Sequence, residues 1–241
     1  MMNSVAIIGY GKMGHEVEKI LNDLNIPIGV IIDTESDWDS KWNQFLSCSV
    51  AIEFSTPEIA PDNFKKCFLN NIPLVSGTTG WYSNFYEIID LANQRNASFI
   101  YGTNFSIGAN LFFSAVTFLS QMMNKQPQYD CSVSETHHIT KKDAPSGTAI
   151  TTAELILQKL DSKNEWVKGL ASDPCQLSVI SNRVGEAIGE HAVTFSSNED
   201  SLTIIHQANN RVGFATGAVK SALWLLKNPG IFNISEIFMK I

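Results

Sequence analysis

The chain has 241 residues, 44% of them hydrophobic and 17% charged, with a formal net charge of -7. That length holds one large domain or two modest ones, each with its own core. The longest Lys/Arg cluster is a pair (Lys65-Lys66 or Lys141-Lys142), so an acidic chain without a basic patch argues against nucleic acid as a partner.

The first hundred residues alternate strand and helix patterns. Ser4 to Ile8 is a β-branched run ending at Gly9, after which Met13, Val17, Ile20, Leu21 and Leu24 recur at helical spacing. Strand patterns follow at Pro27 to Ile32, Ser49 to Phe54, Pro73 to Ser76 and Ser98 to Tyr101, with helices expected over residues 57–71 and 84–95. Strands alternating with helices imply a parallel sheet covered on both faces, an α/β architecture.

The texture changes near Asn104. Ile107 to Met123 is an apolar helix interrupted by Asn110, Ser114, Thr117, Ser120 and Gln121, which suits a protein interior or subunit interface better than a bilayer. A strand at Tyr129 to Glu135, a polar loop over 136–146 and a helix from Gly147 to Leu160 come next. Beyond Pro174, runs at Leu177 to Val184, Glu190 to Ser196 and Leu202 to Gln207 have the texture of an antiparallel sheet, and a helix returns from Phe214 to Leu226. These changes place one domain at 1–104 plus 212–241 and an inserted α+β domain, with an open mixed or antiparallel sheet, at 105–211. The cysteines (Cys48, Cys67, Cys131, Cys175) form no CxxC pair and read as reduced thiols. Met1-Met2-Asn3-Ser4 lacks the features of a signal peptide, and no run is apolar enough to span a membrane. A cytoplasmic protein without a membrane partner is expected.

Gly9-Tyr10-Gly11-Lys12-Met13-Gly14 matches G-x-G-x-x-G between a strand and a helix. Gly9 permits the tight turn, Gly11 lets the backbone approach a pyrophosphate, and Gly14 permits close helix-strand packing, while the helix start offers N–H groups and a positive dipole end. Asp33, 19 residues after Gly14, ends the second strand, where a carboxylate accepts hydrogen bonds from the adenosine ribose and repels a 2′-phosphate. Lys12 can offer that phosphate a charge, whereas Thr34 stands where an Arg would hold it. The reading is NADH preferred, or both NADH and NADPH used. The strand-end loops Gly77-Thr78-Thr79 and Gly102-Thr103-Asn104-Phe105 are further cofactor candidates.

The segment from Glu135 to Thr148 (E-T-H-H-I-T-K-K-D-A-P-S-G-T) gathers His137, His138 and Lys141 ahead of a helix start. Cations and N–H groups together suit an anionic substrate and proton transfer. No His/Asp/Glu spacing suggests a metal, and His191 and His206 read as sheet residues. This segment is similar to the signature E-x-H-H-x-x-K-x-D-A-P-S-G-T of 4-hydroxy-tetrahydrodipicolinate reductases. The resemblance runs across nearly the whole chain, through Gly9 to Gly14, Gly77 to Gly80, Asn104 to Gly108, Gly185 to His191 and Arg211 to Trp224.

The resemblance implies a Rossmann-type domain, a substrate and oligomerisation domain, and reduction of a cyclic dicarboxylate with loss of water in the diaminopimelate route to lysine. It makes His137 the proton donor/acceptor and Lys141 the proton donor. His138, Gly147 and Thr148 become substrate contacts, and Gly9 to Gly14, Asp33, Gly77 to Thr79 and Gly102 to Phe105 surround the cofactor. It further implies a homotetramer, with substrate between the domains and hinges near Asn104 and Arg211. The stretch from Asp33 to Ser49, holding Trp38 and Trp42, is compact beside many family members.

Overall fold

The computed structural model describes residues 4–241, so the reading made at Met1 to Asn3 lies outside the described residues. The chain divides into two compact units. One comprises the described residues through Ile107 together with Arg211–Ile241, and the other is Gly108–Asn210.

In the first unit, strands β1 (Val5–Ile8), β2 (Ile28–Ile32), β3 (Val50–Glu53), β4 (Leu74–Ser76) and β5 (Phe99–Tyr101) alternate with helices α1 (Lys12–Asp23), α2 (Glu35–Leu46), α3 (Ala60–Leu69) and α4 (Phe85–Gln94). The strands are parallel, and a late strand (Ile231–Asn233) completes the order late strand-β5-β4-β3-β1-β2. This is a Rossmann-type sheet, wound on both faces. Successive residues of a strand point to opposite faces. Ala6 and Ile8 therefore join Phe45, Phe64, Phe68, Trp81 and Phe99 in one core, while Val5 and Ile7 join Val17, Leu21, Ala218 and Leu225 in the other. Burial on both sides explains the apolar runs Val5–Ile8 of β1 and Val50 to Ile52 of β3.

Besides a 3-10 turn at Tyr82–Asn84, four elements among the described residues were not anticipated. Helix α2 opens with a capping box in which the Asp37 side chain accepts the Thr34 N–H, and it seats Trp38 and Phe45 in the core. Three others are short: a strand at Glu165–Lys168, the late strand at Ile231–Asn233, and a single helical turn at Ile234–Ile237. Helix α3 starts at Ala60 rather than Pro57, because Thr56 to Ile59 is spent on the entering turn.

The second unit holds helix α5 (Ile107–Met123, entered from the first unit), strand β6 (Asp130–His137), helix α6 (Gly147–Leu157) and strands β7 (Glu165–Lys168), β8 (Gln176–Arg183), β9 (Gly189–Ser196) and β10 (Ser201–Ala208). Its sheet has the order β10-β9-β6-β8-β7. It is mixed: β9 runs antiparallel to β6 and β10, whereas β8 runs parallel to β6 and β7. The antiparallel texture expected beyond Pro174 thus holds for β9 and β10 but not for β8. Residues Cys131, Val133, Leu177, Val179, Val193 and Phe195 bury one face together with α5 and α6, and α6 ends three residues before the expected Leu160. The chain then returns to the first unit through α7 (Val212–Leu225), β11 (Ile231–Asn233) and α8 (Ile234–Ile237). No described helix is long and apolar enough to cross a membrane.

Candidate active site

Two groups of residues carry the chemistry, one in each unit. In the first unit, the carboxyl ends of β1 to β5 bring together every cofactor candidate, as expected of ligand sites in such sheets. Gly9 has φ +85°, and a Cβ there would lie 2.1 Å from the Phe54 carbonyl oxygen, so only glycine fits. Above α1 the space is open. Nothing lies within 4 Å of where a Gly11 side chain would stand, and Gly11, the N-cap, offers no side-chain acceptor to the first turn at Lys12, Met13 and Gly14. An uncapped helix start beneath an empty cradle fits a pyrophosphate.

Beside the cradle, a cavity of 570 Å³ is lined by Gly9, Asp33, Glu35, Ser55, Asn63 and Lys66, among others. Asp33 Oδ1 accepts the Tyr10 N–H at 2.7 Å, tying the end of β2 to the glycine turn. Asp37 Oδ2 accepts the N–H groups of Asp33 and Thr34, both at 2.9 Å. Its neighbour Lys41, 2.6 Å away, and these N–H groups hold its carboxyl well below the usual carboxylate range. Both nearby lysines are engaged. Lys66 lies 3.2 Å from Glu35 and covers the Trp38 ring, and Lys65 lies 2.8 Å from Glu87.

The loops after β4 and β5 complete this end of the unit. Thr78 is buried, its carbonyl accepting the Trp81 indole N–H at 3.0 Å, and Thr79 beside it is half-buried. Gly102 packs against Ile234, Thr103 is half-buried, and Asn104 Oδ1 accepts the Ser106 N–H. Phe105 is buried edge-on to Phe54 at 6.4 Å. Sequence reasoning places Phe54 at the end of a strand pattern but not its packing against Gly9, Gly77 and Phe105, which only the fold brings together.

In the second unit the structure corrects one placement. His137 is not in the polar loop but is the last residue of β6, inward-facing like Cys131, Val133 and Glu135 before it. Its Nδ1 lies 2.8 Å from Glu135 Oε2. Glu135 is the buried hub: Oε1 also accepts the Ser146 N–H at 3.0 Å and an Arg183 N–H at 3.1 Å. Burial alone would raise its pKa, but contacts with His137, Ser146, Ser181 and Arg183 win and hold it below the usual carboxylate range. Arg183 was not foreseen. Its position opposite His137 on the parallel neighbour β8 places it there.

His138 follows, its Nδ1 2.7 Å from the Thr140 hydroxyl, and Lys141 Nζ lies 2.7 Å from Asp143. Ser146 caps α6 by accepting the Ala149 N–H, and Gly147 and Thr148 form the first turn at the positive end of that helix. A Cβ on Gly189 would stand 3.0 Å from His137 Nε2, so glycine leaves that ring nitrogen clear on this side. His191 Nε2 lies 3.2 Å from Ser146 Oγ, and burial followed by His137 pushes its imidazole down to about 3. Glu135, His137 and His191 place ligand-type atoms within 4.8 Å of one another. The Ser146 N–H and the Arg183 guanidinium meet the other carboxylate oxygen, Oε1.

Both halves of the chain match a family model. Residues 3–105 match the amino-terminal part of dihydrodipicolinate reductase and 108–238 its carboxy-terminal part. The chain belongs to the dihydrodipicolinate reductase family. A 4-hydroxy-tetrahydrodipicolinate reductase of Christiangramia forsetii is 36% identical, covering 97% of each chain. One of Methanoculleus marisnigri is 30% identical, covering 98% of this chain and 99% of the other. A dipicolinate-bound dihydrodipicolinate reductase from Paenisporosarcina sp. TG-14 superposes with a TM-score of 0.71 at 26% identity, over 98% of this chain and all of that one. Membership makes the chain an oxidoreductase with a nicotinamide dinucleotide cofactor.

The buried histidine sets a pH dependence of stability. A neutral His191 with a folded pKa near 3, against an ordinary value of 6.5, binds its proton more readily when unfolded. Its contribution is complete above pH 6.5 and is lost as pH falls toward 3. The depressed Glu135 adds to the loss only below its ordinary 4.5. Thermal melts between these two values should therefore show Tm falling with pH in the wild type and a shallower fall in His191→Asn. An unchanged slope in the variant would contradict the assignment.

Proposed function

We propose that this family member reduces 4-hydroxy-tetrahydrodipicolinate to tetrahydrodipicolinate, with loss of the 4-hydroxyl as water, in the diaminopimelate route to lysine. One observation carries the reading: the buried Glu135 carboxylate meets both His137 Nδ1 at the end of β6 and the Ser146 N–H at the start of α6, on either side of the loop that carries His138 and Lys141. A bound nicotinamide dinucleotide supplies the hydride.

The protein's own groups do the rest. Glu135 faces Nδ1 of His137 and thereby directs Nε2 away from itself, toward the space that Gly189 leaves. His137 exchanges a proton there. Hydride addition leaves negative charge on the substrate's conjugated system, and the Lys141 ammonium, steered by Asp143, stabilises and protonates it. The first turn of α6 at Gly147 and Thr148, with His138 nearby, receives a substrate carboxylate. In the first unit, Gly9, Gly11, Lys12, Met13 and Gly14 receive the pyrophosphate, and Asp33 receives the adenosine ribose. Gly77 to Thr79 and Gly102 to Phe105 take the nicotinamide side.

NADH is the better substrate in this reading. Asp33 and Glu35 put carboxylates in the cavity, and Asp37 occupies the backbone N–H groups that a 2′-phosphate would need. The open face of the five-stranded sheet, with Ser132, Ser134, Thr136 and Thr194 facing opposite to the core residues, assembles a homotetramer. The enzyme works in the cytoplasm.

Two measurements follow. Lys141→Ala should lower kcat by roughly 10²–10⁴ while the Kd for NADH stays near the wild-type value; near-wild-type turnover would sink the proton-donor role. Steady-state kcat/KM should favour NADH over NADPH, and a tenfold preference for NADPH would overturn the account of the carboxylate cluster.

A further inference from the structure

Glu53, the last residue of β3, is fully buried, where the rest of that strand is apolar (Val50, Ala51, Ile52). Among the described residues no cation pairs with it, and burial pushes its carboxyl pKa up. An ionisable group without a cation is costly in such a place, and an apolar side chain would serve the core better. Its partners show what holds it there. Oε2 accepts the Ser76 hydroxyl at 2.6 Å, while Oε1 accepts the Thr78 hydroxyl at 3.0 Å, the Ser55 N–H at 3.0 Å and the Ser55 hydroxyl. The Ser55 N–H also reaches Thr78 Oγ1 at 2.8 Å. Ser55 and Thr78 sit on two separate strand-end loops, Phe54–Ser55 after β3 and Gly77–Thr78 after β4, and Ser76 is the last residue of β4.

The loops that it joins are closely packed. A Cβ on Gly77 would meet the Phe54 ring at 2.0 Å. Strand order places them. Asp33, directly after β2, marks the adenosine side, and β3 and β4 lie beyond β1 from it, toward the other half of a dinucleotide. Resting on the dinucleotide reading above, we infer that Glu53 is a positioning residue: it fastens the Phe54–Ser55 and Gly77–Thr78 loops together and so sets the nicotinamide half of the cofactor site. It touches neither cofactor nor substrate itself.

The test compares two ligands that share the adenosine and pyrophosphate but differ at the nicotinamide. Binding of NADH and of ADP-ribose is measured by quenching of intrinsic tryptophan fluorescence, with Trp81 reporting from its bond to the Thr78 carbonyl. Wild-type protein should bind both, and failure to bind NADH would overturn the cofactor reading itself. Glu53→Ala, which leaves the donors of both loops without their shared acceptor, should bind NADH roughly tenfold more weakly with ADP-ribose within about twofold. Glu53→Gln can keep an oxygen toward Ser55 and Thr78 and present its amide to Ser76 Oγ, so it should bind NADH within about threefold of wild type. If Glu53→Ala does not fold, Ser76→Ala removes one partner and should show a smaller loss, roughly threefold, again confined to NADH. Unchanged NADH affinity in the folded variant, or equal weakening of both ligands, would overturn the proposal.

Discussion

Phe54 occupies the space that side chains on two glycines would need. Its carbonyl oxygen lies where a Gly9 Cβ would be, its ring lies where a Gly77 Cβ would be, and the same ring meets Phe105 edge-on. Three loops from the ends of β1, β4 and β5 are thereby keyed to one residue at the end of β3. Close packing of this kind leaves little freedom, because interiors tolerate few voids and few overlaps. The Gly9–Gly14 turn, the cavity beside Asp33 and the Thr78 loop share this support.

The second unit solves a similar problem with charge instead of shape. Glu135 is buried on an inward-facing position of β6, and its two oxygens engage His137, the Ser146 N–H and Arg183. Those partners come from the strand end, the start of α6 and the parallel neighbour β8. One carboxylate therefore orients the imidazole proposed to carry the proton and anchors the helix start proposed to receive an anion. A buried charge held in this way depends on every partner, since each lost contact exposes an unpaired ionic group.

Much of this was legible in the sequence. The G-x-G-x-x-G turn, Asp33 and the E-T-H-H-I-T-K segment carry local signals, because a phosphate cradle and a proton-transfer loop need particular residue types at fixed spacing. What escaped notice depends on partners distant in sequence. Strand β11 is three residues long and exists because it pairs with β5, and β7 likewise depends on β8. Helix α2 has Thr34 and Asp37 as its capping box, but its charged surface obscures the spacing of Trp38 and Phe45. His137, two positions after Glu135, falls outside the strand pattern because the polar run over 136–146 masks the alternation. The alternation of β6 in fact continues inward through both. Glu53 gave no signal at all, since its role is visible only once the loops after β3 and β4 are side by side.

The central claim is that these two supported sites serve one reduction. It is tested most directly by following NADH oxidation by the purified protein with the condensation product of pyruvate and aspartate semialdehyde, alongside other small semialdehydes. Oxidation should depend on the cyclic condensation product and be absent with the semialdehydes alone. No substrate-dependent oxidation, or equal oxidation with a simple semialdehyde, would contradict it.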